Sequence, residues 1–181
     1  MNYDTIKEEI KDIDITLPPP QEEPERQYYF IKKLQHWMEL KKEEKGRELT
    51  CCVNTFGCQM NARDSEKIIG ILMTIGYKVV EDEDADLVIF NTCTVRENAN
   101  LKVYGRLGQL KKIKNKNPEM ITMLCGCMMQ EESVVEKIKK SYRNVDIIFG
   151  THNIFKFAEL LSMKVLDRAE SKKMIIDVWK D

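Results

Sequence analysis

Short, continuous runs of apolar residues alternate with longer amphipathic segments after residue 48, and this alternation restricts the fold more than any other feature of the chain. The apolar runs read CCVNTF, YKVV, DADLVIF, MITMLC and VDIIFG. Runs of this kind are typical of parallel strands buried on both faces, and the segments between them have helical periodicity. The sequence therefore predicts a doubly wound α/β domain with five parallel strands. The predicted helices of this domain cover residues 62–75, 95–115, 131–141 and 151–161.

The segments outside this domain, which we place at residues 48–162, differ from it in composition. Residues 1–24 contain LPPPQEEPE, and its prolines and acids favour a disordered linker. Residues 25–46 predict a helix that ends near its glycine and packs on the domain through one apolar face. That face consists of Tyr28, Ile31, Leu34, Trp37 and Met38. Residues 163–181 are expected to be a linker toward a further domain, with MIIDVW pairing as a strand beyond this chain.

The N-terminal sequence and the cysteine content limit the class of protein. The N-terminus MNYDTIKEEIKDIDI contains acids and has no apolar core, so it is not a secretory signal, and no apolar run approaches the ~20 residues that span a bilayer. We therefore expect a cytoplasmic protein without membrane contact, in which thiols stay reduced. Six cysteines and only two histidines then favour soft, sulfur-based metal binding or thiol chemistry. The net charge of −1 does not require a nucleic-acid partner.

Three of the cysteines each follow a predicted strand: Cys58 after the first, Cys93 after the third and Cys127 after the fourth. In a flavodoxin-like strand order, 2-1-3-4-5, these three strands are neighbours, each ~4.8 Å from the next. The carboxyl ends of parallel strands share one edge of the sheet, so the three thiols are expected to converge there. Structural zinc requires four ligands, whereas three thiolates suit a 4Fe–4S cluster with one iron left open.

The other cysteines have a different interpretation. Cys51 and Cys52 lie inside the first predicted strand, where free cysteine usually acts as a small core residue. Cys125 ends the fourth strand and is also interpreted as a core residue, although its Cys-Gly-Cys spacing with Cys127 leaves a thiol redox pair as an alternative.

The three cysteine loops resemble those of the radical-SAM methylthiotransferases. The motifs are GCQMN at 57–61, NTCTVRENA at 91–99 and GCMMQ at 126–130, and the resemblance covers about residues 48–162. GCQMNARDSE is most similar to the branch that methylthiolates N6-isopentenyladenosine next to the anticodon of tRNA. The branches acting on threonylcarbamoyladenosine or on a ribosomal protein remain alternatives. Met129 stands where the family usually has alanine.

The resemblance implies cofactors and partners that composition does not reveal. It implies that Cys58, Cys93 and Cys127 hold an auxiliary 4Fe–4S cluster, which delivers sulfur. It further implies S-adenosyl-L-methionine and a second 4Fe–4S cluster in a radical-SAM barrel that follows this domain, tRNA contacted mainly through missing domains, and a monomer. The chain has no C-x₃-C-x₂-C loop. We therefore expect an N-terminal fragment that does not catalyse the complete reaction alone, and no residue of it is assigned as catalytic.

Five polar residues flank the cysteine loops and are candidates for hydrogen bonds to cluster sulfur: Gln59, Asn61, Asn91, Thr92 and Arg96. Loop or helix capping is the alternative role for each of them. A basic run between residues 102 and 116 could contact tRNA phosphates, but a solvated helix face is the more common explanation for such a run.

Other classes of protein make different demands on the same loops. A flavin site favours a phosphate loop rich in glycine and hydroxyl groups after the first strand, and a receiver domain needs acids at the ends of the first and third strands. GCQMN offers one glycine, and the strand ends hold Thr55, Phe56 and Asn91 instead of acids, so the sequence fits neither class. A thiol redox protein and a domain whose cysteines bind nothing remain open alternatives.

Overall fold

The computed structural model describes residues 3–57, 59–93 and 97–179, which form helices around one parallel sheet. The helices are α1 Tyr3–Ile10, α2 Glu25–Lys45, α3 Gln59–Ile75, α4 Glu97–Lys116, α5 Glu132–Ser141 and α6 Phe157–Leu166. The strands are β1 Thr50–Phe56, β2 Lys78–Val79, β3 Leu87–Thr92, β4 Ile121–Gly126, β5 Ile147–Phe149 and β6 Ile175–Asp177. Two 3₁₀ turns, Cys127–Gln130 and Thr151–Lys156, follow β4 and β5.

The sheet has the order β2-β1-β3-β4-β5-β6, and all of its pairs are parallel. The predicted order 2-1-3-4-5 and the doubly wound α/β class are confirmed. The prediction of five strands is wrong, because β6 extends the sheet beyond β5. Ile175 of β6 is buried beside Ile147, and its N–H donates to the carbonyl of Asp146 at 2.9 Å. The strand in MIIDVW therefore pairs within the domain, since it covers the edge of β5.

The central strands present alternate side chains to two separate cores, as β3 shows clearly. Leu87 and Ile89 face a core formed with α1, α2, α3 and α6, whereas Val88 and Phe90 face a core formed with α4 and α5. Every residue of β3 and of β4 is buried. Helices on both sides of the sheet thus explain why the strands are continuously apolar in sequence.

The N-terminal segment packs on the domain from its first helix onward. Ile6 and Ile10 of α1 lie four residues apart, share one helix face and are buried in the core with α2. The expected disordered linker at 1–24 is therefore wrong for residues 3–10. The predicted packing of α2 is confirmed, because Ile31, Leu34 and Met38 are buried against α3 and α6.

The amino edge of the sheet is held by a buried carboxylate. Asp86, just before β3, accepts two hydrogen bonds from the Arg47 guanidinium at 2.7 and 2.8 Å and one from the Thr50 N–H at 2.8 Å. Burial opposes its ionisation, but these hydrogen bonds outweigh burial and lower the pKa of Asp86 below its ordinary value.

The helix predicted to start at Thr151 begins later than expected. Residues 151–156 form a 3₁₀ turn, α6 runs from Phe157 to Leu166, and no side chain caps the turn. Within the described part of the chain, no helix combines the length and the apolar character needed to cross a membrane.

Candidate metal centre at the carboxyl edge of the sheet

The register of the sheet aligns the ends of β1, β3 and β4. Phe56, Thr92 and Gly126 are partners across these three strands, and each is the last residue of its strand. The residues that directly follow these strand ends are Gly57, Cys93 and Cys127. Because Thr92 and Gly126 are register partners, Cys93 and Cys127 follow adjacent strands, ~4.8 Å apart, at the same level of the sheet. The structure thus brings together these two predicted site residues.

The two described site thiols differ in exposure. Cys93 is buried, with 6% of its surface exposed, whereas Cys127 is partly exposed and opens the 3₁₀ turn after β4. Both are free thiols, and the Sγ of Cys127 lies 3.8 Å from the carbonyl oxygen of Thr92, within range of a weak S–H hydrogen bond. Cys58 and Arg96 lie outside the described residues, so their predicted roles stay predictions.

Two glycines allow the loops to approach β3 closely. A Cβ atom placed on Gly57 would lie 2.7 Å from the Cβ of Cys93, and one placed on Gly126 would lie 2.7 Å from the backbone N of Thr92. Gly126 also has a φ of +99°, which side chains rarely adopt. The absence of two side chains therefore lets the loops after β1 and β4 pack directly on the end of β3.

A buried polar network lies directly below the cysteine loops. The Asn91 side chain, fully buried on β3, donates from Nδ2 to the carbonyl of Asn61 at 2.8 Å and to the hydroxyl of Ser65 at 3.0 Å. Asn61 Nδ2 donates in return to Asn91 Oδ1 at 3.1 Å and to the carbonyl of Thr92 at 3.0 Å. The Ser65 hydroxyl also shares a 2.7 Å hydrogen bond with that of Thr55. The network joins α3 to the carboxyl ends of β1 and β3.

The flanking polar residues predicted from the sequence occupy different environments. Asn61, Asn91 and Thr92 are buried, and Thr92 Oγ1 donates to the carbonyl of Cys125 at 2.7 Å. Gln59 is exposed at the start of α3. The buried side chains thus bind the protein's own carbonyl and hydroxyl groups, which agrees with the alternative of loop support. Sequence reasoning missed Ser65 and Thr55, although Asn61 and Ser65 stand at the four-residue spacing that shares a helix face.

Three cysteines belong to the cores and not to the site. Cys51 and Cys52 are buried on opposite faces of β1, as predicted, and burial raises the pKa of Cys51 to about 12. Cys125 is fully buried against the α3 face of the sheet, and burial raises its pKa as well. A thiol that remains protonated is a poor nucleophile, so the structure disfavours a redox pair of Cys125 with Cys127.

The basic run on α4 is partly used for packing. Arg106 pairs with Glu83 and lies 5.4 Å from the ring centroid of Phe56, and Lys114 binds Asp146 at 2.5 Å. The exposed members of the run are Lys102, Lys111, Lys112 and Lys116. The remaining lysines form a solvated helix face.

The donor set fits a thiolate-bound metal centre only when Cys58 is included. Among the residues that the structure describes, no three His, Cys, Asp or Glu side chains are grouped so that they could hold a metal ion. Cys93 and Cys127 supply two soft donors, and Cys58 is separated from the end of β1 by Gly57 alone. The glycine contacts keep the loops after β1 and β4 close to Cys93.

Comparison with known proteins places this arrangement in a family. Residues 50–150 match the sequence model of the uncharacterized protein family UPF0004. Curated relatives named tRNA-2-methylthio-N(6)-dimethylallyladenosine synthase include one from Lachnoclostridium phytofermentans, 65% identical over 139 residues, which are 77% of this chain and 30% of that protein. Another, from Acetivibrio thermocellus, is 50% identical over 159 residues, covering 87% of this chain and 32% of that protein. The chain thus spans about a third of the length of these two relatives.

Proposed function

This chain belongs to the UPF0004 family, and on that basis we propose that it is the sulfur-delivering N-terminal part of a tRNA methylthiotransferase. The proposed reaction of the whole enzyme is methylthiolation of carbon 2 of N6-isopentenyladenosine beside the anticodon. The names of relatives up to 65% identical to this chain support this substrate over threonylcarbamoyladenosine or a ribosomal protein. The chain corresponds to about a third of such an enzyme, so it is proposed to be inactive alone.

The observation that carries the proposal is the alignment of the cysteine loops on adjacent strands. Cys93 and Cys127 follow partnered residues of β3 and β4, and Gly57, which precedes Cys58, lies against Cys93. We propose that Cys58, Cys93 and Cys127 hold an auxiliary 4Fe–4S cluster through their thiolates. When bound, this cluster would supply the sulfur of the methylthio group, because three protein ligands leave one iron open for chemistry.

The protein around the thiols has defined tasks in this proposal. Cys127 is partly exposed, so its sulfur would be accessible to an incoming metal. Cys93 is covered by the protein, so its thiolate would be shielded from solvent. Met129, where the family usually has alanine, is fully buried in the core with α4 and α5.

The remaining components belong to the rest of the enzyme. We propose a radical-SAM barrel that follows this domain and binds a second 4Fe–4S cluster and S-adenosyl-L-methionine, with tRNA bound mainly outside this chain. We further propose that the protein is a cytoplasmic monomer. The domain limit predicted at residue 162 is too early, because β6 belongs to the same sheet, so we propose that the connection to the barrel follows β6.

Iron binding by the isolated chain tests the central proposal. Anaerobic reconstitution with iron and sulfide, followed by iron counting and Mössbauer spectroscopy, should give about four irons per chain. Cys58→Ala, Cys93→Ala and Cys127→Ala should each lose the cluster, whereas Cys125→Ala, which changes a core thiol at the end of β4, should keep it. Four irons retained in all three ligand variants, or no iron in either the chain or its full-length enzyme, would overturn the assignment.

A further inference from the structure

Asn61 and Asn91 exchange hydrogen bonds at the carboxyl end of β3. Asn91 Nδ2 donates to the backbone carbonyl of Asn61 at 2.8 Å, and Asn61 Nδ2 donates to Asn91 Oδ1 at 3.1 Å. Asn61 is 5% exposed and Asn91 is fully buried. Hydrogen bonds that run in both directions between two buried residues fix their relative position, since breaking either leaves buried polar groups unpaired.

Only asparagine satisfies every contact at position 91. Its side chain must accept from Asn61 through Oδ1 while it donates through Nδ2 to Asn61 and Ser65. Aspartate lacks the donor, leucine lacks both groups, and glutamine is longer by one methylene. The chemistry of the contacts therefore specifies a carboxamide of this length.

The pair connects a rigid element to a short loop. Asn91 lies in β3, which is paired on both sides, with β1 and with β4. Asn61 lies in the first turn of α3, and only Gly57 and Cys58 stand between β1 and that helix. The bonds of Asn61 thus fix the first turn of α3, which begins one residue after Cys58 in the sequence, to β3.

The carbonyl of Thr92 links the same pair to the third cysteine loop. It accepts from Asn61 Nδ2 at 3.0 Å and lies 3.8 Å from the Sγ of Cys127. The side chain of Asn61 thus contacts the backbone directly before Cys93, at the same carbonyl that Cys127 approaches.

We propose that Asn61 and Asn91 are positioning residues that fix the first turn of α3 to the carboxyl end of β3, which Cys93 follows, before any metal binds. This inference rests on the proposed function for its metal, but the positioning itself exists in the iron-free chain. The Ser65 hydroxyl accepts the other hydrogen bond of Asn91 Nδ2 and is hydrogen-bonded to Thr55, so it connects the pair to β1.

Hydrogen exchange in the iron-free chain tests the positioning directly. Asn91→Asp and Asn61→Ala should each raise the rate of amide exchange in residues 59–65 by about tenfold or more. The rates in β3–β5 should change little, because loss of the Asn61–Asn91 bonds frees the start of α3 without global unfolding. Thr122→Val is the matched control, since Thr122 is fully buried in β4 and its hydroxyl has no hydrogen-bond partner among the described residues. It should leave exchange in 59–65 unchanged.

Iron release from the reconstituted chain gives the second readout. Transfer of iron to a chelator should be about 10–100-fold faster in Asn91→Asp and Asn61→Ala, the usual effect of removing a residue that orients a ligand. The double variant Asn61→Ala/Asn91→Asp should exceed the faster single variant by no more than about twofold in release rate, because both changes act on the same pair. If Asn91→Asp does not fold, Asn61→Ala carries the same two expectations.

The outcomes separate the two proposals. Wild-type release rates in the variants, in a chain that binds four irons, would overturn the positioning role and leave the proposed function intact. No iron in the wild-type chain or the full-length enzyme, with exchange raised selectively in 59–65, would overturn the proposed function and leave the positioning role intact. Exchange that rises uniformly across the sheet would show a purely structural role and overturn the positioning inference.

Discussion

The substitution Gly126→Ala tests how the third cysteine loop is held. Gly126 has φ +99° and ψ 178°, a conformation essentially restricted to glycine that costs other residues about 1–3 kcal/mol. The added Cβ would also lie 2.7 Å from Thr92 N and 2.8 Å from Asn91 Oδ1. Overpacking of this kind costs about 1–3 kcal/mol. The sum is about 2–6 kcal/mol, a large part of the 5–15 kcal/mol that stabilises a typical domain.

Urea unfolding of the iron-free chain, followed by far-UV circular dichroism, measures this loss. Gly108→Ala is the matched control: Gly108 is exposed in α4, no atom lies within 4 Å of its added Cβ, and alanine should stabilise the helix by up to about 1 kcal/mol. If the free energy of unfolding of Gly126→Ala lies within about 0.5 kcal/mol of the wild-type value, as for an ordinary surface substitution, the reasoning from close approach is refuted.

Three other regions give predictions that use simpler assays. The lowered pKa of Asp86 stabilises the fold at pH values above the ordinary carboxyl pKa, so the free energy of unfolding should decrease as the pH is lowered past about 4. Urea titrations at several pH values should show a smaller decrease for Asp86→Asn. Ile6→Ala should cost about 2–4 kcal/mol in urea and the exposed Leu17→Ala less than about 0.5 kcal/mol; equal midpoints would contradict the packing of α1. Iodoacetamide should modify Cys127 at least about tenfold faster than Cys125, as measured by peptide mass spectrometry, and equal rates would revive the redox pair.

The main sheet could be predicted because its strands carry a strong and repeated signal. Runs such as DLVIF are apolar at every position, and this pattern requires cover on both faces. The elements that were predicted incorrectly, β6 in its pairing partner and α1 as a helix, are short. β6 has three residues after a charged segment, and α1 has eight residues with two buried isoleucines. Such elements are stabilised by tertiary contacts with β5 and α2, which the local sequence does not reveal.

The site was predictable in position but not in its internal contacts. Cysteines that directly follow strands must lie at the carboxyl edge, so the neighbouring positions of Cys93 and Cys127 followed from strand order. The mutual bonds of Asn61 and Asn91 depend on the distance between α3 and β3, and sequence spacing does not fix that distance. The ligand role of Cys58 and the role of Arg96 stay predictions.

Because the three strand ends are aligned, the length of each strand sets the position of the residue that follows it. The two edges of the sheet therefore differ in their tolerance of inserted residues. One residue inserted into β3 would advance Cys93 by about 3.3 Å and turn its side chain to the opposite face. Insertions at Pro118 and Glu119, which are exposed between α4 and β4, would lengthen a loop at the opposite edge and leave the cysteines after β3 and β4 in register. Loop changes at the amino edge that keep the contacts of Asp86 are therefore compatible with the site, whereas a change in the length of β3 or β4 displaces the cysteine that follows it.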